Sequence, residues 1–211
     1  DINGNPITPT VKGSSDHWAT AGFFGRINYD YEGKYLAEVN LRYDGTSRFR
    51  SSERWNLFPS FSLGWNLARE NFWEPIADHV GTFKLRGSYG ELGNQNTTSL
   101  YPTYAQMQFQ ASNGTWLING MKPNIAITPE LIASSLTWER VKTWNIGLDF
   151  GALNNRLTGS FDYFVRNTLD MIGPAPELPI TLGTNVPRTN NTDLKTYGWE
   201  LSVGWNDRLQ N

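Results

Sequence analysis

Apolar and polar side chains alternate along seven stretches of this chain, and this alternation restricts its fold more than any other feature. Successive side chains of an extended strand point to opposite faces, so alternation with period two predicts a strand with one apolar and one polar face. The clearest stretch is residues 197–206, where Tyr, Trp, Leu, Val and Trp alternate with Gly, Glu, Ser, Gly and Asn. The chain is therefore predicted to be all-β.

The seven stretches are predicted to be antiparallel strands. They cover residues 20–31, 35–44, 57–67, 83–90, 143–150, 157–166 and 196–206. Strands of soluble proteins centre on about five or six residues, whereas a tilted strand that crosses a membrane needs about 9–11. Most of the predicted strands are of the longer kind.

The links between these strands form a second, independent pattern. Residues 32–34 and 151–156 are short links and 68–82 is intermediate, whereas the others are mostly longer: 45–56, 93–142 and 168–195. Short turns at one end and long loops at the other are typical of outer-membrane barrels, whose turns face the periplasm. Residues 45–56 contribute least to the pattern, because they are no longer than the intermediate link.

The predicted apolar faces carry aromatic residues near the short turns and no charged residue. A lysine or arginine facing lipid costs about 2–4 kcal/mol at the bilayer midplane, and aromatic rings favour the headgroup level. The pattern therefore predicts a transmembrane β-barrel segment in contact with outer-membrane lipid. The predicted aromatic girdle consists of Tyr29, Tyr31, Tyr35, Trp65, Phe83, Phe150 and Trp205.

A soluble β-sandwich with a carbohydrate-binding function is the alternative, because its strands also alternate between a core face and a solvent face. Strand length, the aromatic girdle and the link pattern favour the barrel. An open sheet edge in lipid would leave backbone groups without hydrogen-bond partners, so seven strands need further strands beside them. Residues 1–211 are therefore interpreted as a fragment of a larger barrel.

Several segments resemble the C-terminal half of the barrel in the SusC/RagA class of TonB-dependent outer-membrane transporters. They are residues 35–49 (YLAEVNLRYDGTSRF), 56–65 (NLFPSFSLGW), 84–94 (KLRGSYGELGN), 136–139 (LTWE), 143–149 (TWNIGLD) and 198–201 (GWEL). The resemblance implies a barrel of about 22 strands around an N-terminal plug, opened by TonB and covered by a SusD-like surface lipoprotein. It also implies import of oligosaccharides or peptides into a Gram-negative cell. No counterpart of the plug or the TonB box is identified in this chain.

Two groups of residues are candidates for contact with the solute or the plug. Aromatic residues of the longest link could stack on a solute or a lid partner, or pack within the loop; they are Tyr101, Tyr104 and Trp116. Charged residues of mixed sign on the polar faces would line the lumen, mostly packing on the wall or plug. These are Arg26, Glu38, Arg42, Lys84, Arg86, Asp162, Arg166 and Glu200.

Composition argues against several other functions. The net charge of −2 gives no basic field for nucleic acid, and the absence of cysteine excludes disulfides and thiolate metal sites. His17 and His79 are far apart in sequence, and no nucleophile elbow or phosphate loop is present. An enzyme, a metal and a cofactor are therefore not expected, although a glycosidase carboxylate pair has no fixed spacing and remains the enzymatic alternative.

Overall fold

The computed structural model describes residues 13, 15–97, 99–129, 131–175, 177, 179, 181 and 186–207. Within these residues the chain forms nine strands: β1 (Thr20–Tyr31), β2 (Tyr35–Thr46), β3 (Trp55–Asn66), β4 (Val80–Asn94), β5 (Gln108–Gln110), β6 (Ile125–Ile127), β7 (Glu139–Ala152), β8 (Leu157–Ile172) and β9 (Asn190–Trp205). Two short 3₁₀ helices, Leu67–Arg69 and Asn71–Ile76, lie between β3 and β4.

Seven strands form one antiparallel sheet in the order β1-β2-β3-β4-β7-β8-β9, and β5 pairs with β6 in a separate ribbon. Each strand of the large sheet therefore lies beside the strand that precedes it, with the ribbon inserted between β4 and β7. The seven strands predicted from alternation are confirmed. They are 12 to 16 residues long, longer than a bilayer crossing requires.

Residues 139–142, 168–172 and 190–195 belong to strands, so their prediction as loop is wrong. These extensions lie beyond the alternating stretches and carry polar residues on both faces, as in the sequence ERVK at 139–142. The backbone hydrogen-bond ladder continues there without alternation. Alternation marks only the part of a strand that has an apolar environment on one side and a polar environment on the other. Sequence pattern therefore locates the alternating part of each strand and not its end.

The links divide between two ends of the sheet. The turn end holds residues 32–34, 67–79 and 153–156, and the loop end holds residues 47–54 and the described residues of 95–138 and 173–189. Residues 95–138 and 173–189 form longer links than any link at the turn end, as expected. The expected contrast fails for residues 47–54, which are fewer than residues 67–79.

The sheet has one apolar and one polar face. The apolar face carries residues such as Ile27, Leu63 and Leu201, and Leu63 is 67% exposed even though β3 is a central strand. A sandwich would bury this face against a second sheet, but the only other sheet among the described residues is the β5–β6 ribbon. The sandwich alternative is therefore not supported.

In the part of the chain that the structure describes, the buried hydrophobic side chains form one small cluster at the loop end, called here the loop-end core. It consists of Phe49, Phe58, Ala133, Leu136 and Trp138. Among the described residues, neither 3₁₀ helix nor any other helical segment has the length and apolarity to cross a bilayer.

Candidate functional site

The polar face is organised around Arg86 on β4, which bonds to carboxylates on two other strands. Its Nε donates to Asp149 Oδ2 on β7 at 3.0 Å, and its Nη2 donates to Asp162 Oδ2 on β8 at 2.8 Å. Arg86, Gly147 and Asp162 lie opposite one another across β4, β7 and β8. Because Gly147 has no side chain, the guanidinium can lie across β7; an added Cβ there would be 2.7 Å from Arg86 Cζ.

Further charged residues lie beside this network on the polar face. Asp162 lies opposite Glu200 in the β8–β9 register, and Asp149 lies opposite Lys84 in the β4–β7 register. Arg166 is one further predicted lumen residue on this face, opposite Thr196. The mixed signs give a surface suited to hydrogen bonding and not a ring of one charge.

A second network lies on the polar face of β1 and β2. Arg26 Nε donates to Asn40 Oδ1 at 2.7 Å and its Nη2 lies 3.6 Å from Glu38 Oε1. Arg42 pairs with Asp44 at 2.5 Å on the same strand. All eight charged residues assigned to the lumen from sequence thus share the polar face, and their contact with an enclosed lumen stays a prediction.

The β3–β4 ladder ends at Ser60 and Gly90, although both strands continue toward the loop end. Beyond this point β3 pairs only with β2, and β4 pairs only with β7. Pro59, the first residue of β3 past the ladder, has no N–H to donate, and proline in sheets is confined to such edges and irregularities. The sheet is therefore split between β3 and β4 at its loop end.

The split ends overlap instead of lying side by side. Phe58 and Asn56 belong to the polar face of β3, whereas Gly93 and Arg140 have the parity of the apolar face on β4 and β7. Yet a Cβ on Gly93 would overlap the ring of Phe58, and Arg140 Nη2 donates to Asn56 Oδ1 at 2.6 Å. The end of β4 and β7 is therefore displaced toward the polar side of β3.

The loop-end core fills this β3–β4 overlap. Phe58 is 5% exposed and Trp138 4% exposed, with their rings in edge contact at 5.5 Å. Phe49 makes a second edge contact with Trp138 at 5.8 Å, and Trp138 Nε1 donates to the Arg54 carbonyl at 3.1 Å. Sequence analysis missed this cluster, and its one signal was Phe58, a large apolar residue at a polar-face position.

The loop aromatics are only partly brought together. Tyr101 and Tyr104 are in edge contact at 6.2 Å and line a cleft of about 810 Å³ formed mainly by the long loop and residues 186–188. The Tyr101 hydroxyl donates to the His17 carbonyl at 2.8 Å. Trp116 is 56% exposed and lies outside the lining of this cleft, so the structure does not place it with the two tyrosines.

The seven aromatic residues assigned to the girdle lie on the apolar face toward the turn end. Tyr31, Tyr35 and Trp65 form a row of stacked rings across β1, β2 and β3, with centroids 6.4 Å apart at each step. A second aromatic group lies on the same face at the loop end: Phe23 and Tyr43 both stack on Trp55. Sequence analysis missed this second group.

Glu70 connects the link between β3 and β4 to the aromatic row. Its Oε1 accepts hydrogen bonds from the Tyr35 hydroxyl at 2.7 Å and from Trp65 Nε1 at 3.0 Å. These two bonds, in that order, hold the pKa of the Glu70 carboxyl below its ordinary value, because both favour the charged form. The Glu70 side chain is only 14% exposed, since it lies against the two rings.

Comparisons with known proteins identify the family. The family model described as "TonB dependent receptor-like, beta-barrel" matches residues 2–210. The TonB-dependent receptor SusC of Bacteroides thetaiotaomicron is 35% identical over 184 residues, which are 86% of this chain and 18% of that protein. The TonB-dependent receptor P3 of Formosa agariphila is 32% identical over 204 residues, which are 96% of this chain and 20% of that protein.

The fold is also similar to that of solved structures. The RagAB peptide importer in its "closed-closed" state superposes with a TM-score of 0.75 at 26% identity, covering 92% of this chain and 20% of that one. The chain thus spans about a fifth of the length of the relatives it matches. It belongs to the TonB-dependent receptor-like β-barrel family, as a transmembrane segment of an outer-membrane barrel of the SusC/RagA type.

Proposed function

We propose that this chain forms part of the wall of a TonB-dependent transporter that imports oligosaccharides or peptides across the outer membrane of a Gram-negative cell. The apolar face contacts lipid, and the polar face encloses the lumen and packs on the plug. The long loops contribute to the solute chamber beneath a SusD-like lipoprotein. The chain carries no catalytic step in this proposal.

The observation that carries the proposal is the pairing of two unlike faces on one set of long strands. A continuous, exposed apolar face lies behind a face on which charged residues are paired across strands, as in the Arg86 network. Charged groups facing lipid would be costly, whereas a water-filled or plugged interior accommodates them. The relation to SusC and to the RagAB peptide importer supports the transport function.

The polar wall suits contact with another polar surface more than passage of a bare ion. Arg86 has both of its carboxylate partners within 3.0 Å, so its charge is compensated before any solute arrives. Such compensated groups pack well against a polar plug. We assign Arg86, Asp162 and their neighbours to the wall and plug contact.

Tyr101 and Tyr104 are the proposed solute contacts, because they are paired on the wall of a loop-end cleft of about 810 Å³. Aromatic rings offer apolar surface and a hydroxyl that can bond to sugars or to peptide groups. The description of RagAB as a peptide importer supports peptides as one of the two solute classes.

The test is uptake by the full-length protein in cells with and without TonB. Labelled oligosaccharide and peptide mixtures are supplied, and accumulation in the periplasm is measured. Uptake of at least one class is expected only when TonB is present, with reduced uptake for Tyr101→Ala combined with Tyr104→Ala and normal uptake for Trp116→Ala. TonB-independent uptake, or none of either class, would contradict the proposal.

A further inference from the structure

The link between β3 and β4, residues 67–79, packs against the apolar face of the sheet. Trp73 stacks on Phe83 at a centroid distance of 4.9 Å, and its Nε1 donates to the Val80 carbonyl at 2.9 Å. Glu70 bonds to Tyr35 and Trp65. Because Tyr35, Trp65 and Phe83 all lie on the apolar face, these contacts hold the link on the apolar side of the sheet.

The link also exposes two large apolar side chains. Phe72 is 62% exposed and Ile76 is 45% exposed. Both belong to the 3₁₀ helix Asn71–Ile76. Trp73 of the same helix attaches it to the sheet by stacking on Phe83. The link between β3 and β4 also carries the acidic residues Glu74 and Asp78, so it has both apolar and acidic surface.

We propose that residues 70–76 are an interfacial anchor, in which Phe72 and Ile76 insert into the lipid leaflet on the turn side of the membrane. The occupant of this surface is a phospholipid bilayer. Continuity of the surface favours the bilayer, since Trp73 and Glu70 attach the anchor to the apolar face of the sheet, which the proposed function places in contact with lipid.

The level of the anchor supports lipid as its partner. Glu70 accepts bonds from the same Tyr35 and Trp65 that belong to the stacked row, and rings with a polar edge favour the headgroup region. An amphipathic segment in that region buries its apolar side about 5–10 Å into the boundary between headgroups and acyl chains. Phe72 and Ile76 are therefore placed to reach the upper part of the acyl chains.

Glu70 acts as a positioning residue for the anchor. Its carboxylate joins the link to β2 and β3 at once, whereas Lys34 Nζ adds a weaker contact at 3.9 Å. Replacing it by alanine removes both ring contacts, whereas the stacking of Trp73 on Phe83 and the bond from Arg69 Nη1 to the Glu32 carbonyl at 3.4 Å remain. The depth of Ile76 in the bilayer is then expected to decrease.

The experiment measures depth at single labelled positions in the full-length protein. Ile76→Cys is labelled with an environment-sensitive NBD fluorophore and the protein is reconstituted in vesicles of phosphatidylethanolamine and phosphatidylglycerol. This chain has no cysteine of its own, and any cysteine elsewhere in the protein is replaced. Asp78→Cys in the same link is the matched control, and heat-modifiable gel migration verifies folding of each variant.

At position 76 we expect a blue-shifted emission that is quenched most by lipids with a doxyl group near the glycerol. At position 78 we expect emission as in water and weak quenching. The Glu70→Ala change is expected to weaken quenching at 76 and leave 78 unaltered. Emission as in water at 76, or a blue shift without lipid quenching, would overturn the proposal; the second result would mean that protein covers the link.

Discussion

The two ends of the β3–β4 pair are held together in different ways. At the turn end the ladder continues to Asn66 and Lys84, and the link that follows is tied down by hydrogen bonds to Glu70. At the loop end the ladder stops at Ser60 and Gly90, and the strands overlap around the loop-end core. One pair of strands is thus held by backbone at one end and by side chains at the other.

The environment explains this difference. Within the hydrocarbon region an unpaired backbone group has no water to bond, so adjoining strands must stay paired there. At the level of the split the apolar-face positions carry a charge pair, Lys142 and Glu91, at 3.8 Å. Such a pair is expected outside the hydrocarbon, so the split lies where water and loop residues can satisfy the freed groups. Backbone pairing between β3 and β4 is therefore required where the strands cross the hydrocarbon, and the split lies beyond that region.

Removal of the Trp138 side chain is expected to produce the largest effect. Trp138→Ala deletes both ring contacts and the bond to the Arg54 carbonyl, and truncating a buried aromatic residue costs about 3–5 kcal/mol. Hydrogen exchange should become faster in residues 133–138 and at the loop end of β3, with little change at the turn end. Trp116 lies in the same loop but is exposed, so Trp116→Ala should leave exchange unaltered. Equal effects of the two changes would contradict the claim that the loop-end core holds the ends of β3 and β4 together.

A side chain at position 147 should have the next largest effect. In Gly147→Val the new atoms would meet Asp162 Oδ1 at 2.6 Å and Arg86 Cζ at 2.7 Å, so the guanidinium must leave β7. Overpacking of this kind costs about 1–3 kcal/mol, measured as a lower urea midpoint for unfolding from lipid vesicles. Gly87→Ala on β4 is the control, because a Cβ there meets nothing within 4 Å. An unchanged midpoint for Gly147→Val would contradict the stabilising role of the Arg86 contacts with Asp149 and Asp162 across β4, β7 and β8.

Acid should loosen the turn end by a smaller amount. Hydrogen bonds from Tyr35 and Trp65 hold the pKa of the Glu70 carboxyl below its ordinary value, so its contribution to stability is present above the ordinary pKa and is lost as the pH falls through the lower folded pKa. Pepsin cleavage within residues 67–79 should therefore accelerate as the pH falls from the ordinary pKa of a glutamate through the lower pKa of Glu70 in the folded protein.

The matched variants for this test are Glu70→Gln and Glu74→Gln. Glu70→Gln has no titrating group between Tyr35 and Trp65, so it should flatten the dependence of cleavage on pH. Glu74→Gln should retain the dependence of the unmodified protein. If both variants behaved alike, Glu70 would not be the group that fastens the link.

The sequence predicted the faces of the sheet well because alternation reports directly on what each side chain meets. Leu63 and Ser62, for example, follow the pattern and lie on opposite faces. Strand ends were missed where that environment changes, as at Glu139–Lys142. Alternation carries no information on a ladder that continues outside the apolar region.

The overlap and the Glu70 contact could not be read from the sequence for a different reason. Phe58 and Trp138 meet across 80 positions of chain, and Glu70 bonds to Tyr35 across 35. Each looks locally like an exception or an ordinary loop residue. Only the register of the strands brings them together, so their roles depend on tertiary geometry and not on local pattern.

The central claim is that the apolar face of the sheet contacts lipid while the polar face is shielded from it. Spin labels placed one at a time at positions 60, 61, 62 and 63 of β3 in the full-length protein, reconstituted in bilayers, test it directly. Accessibility to oxygen, which partitions into lipid, should be high at Phe61 and Leu63 and low at Ser60 and Ser62. Equal oxygen accessibility at all four positions, or higher accessibility at the two serines, would contradict the account.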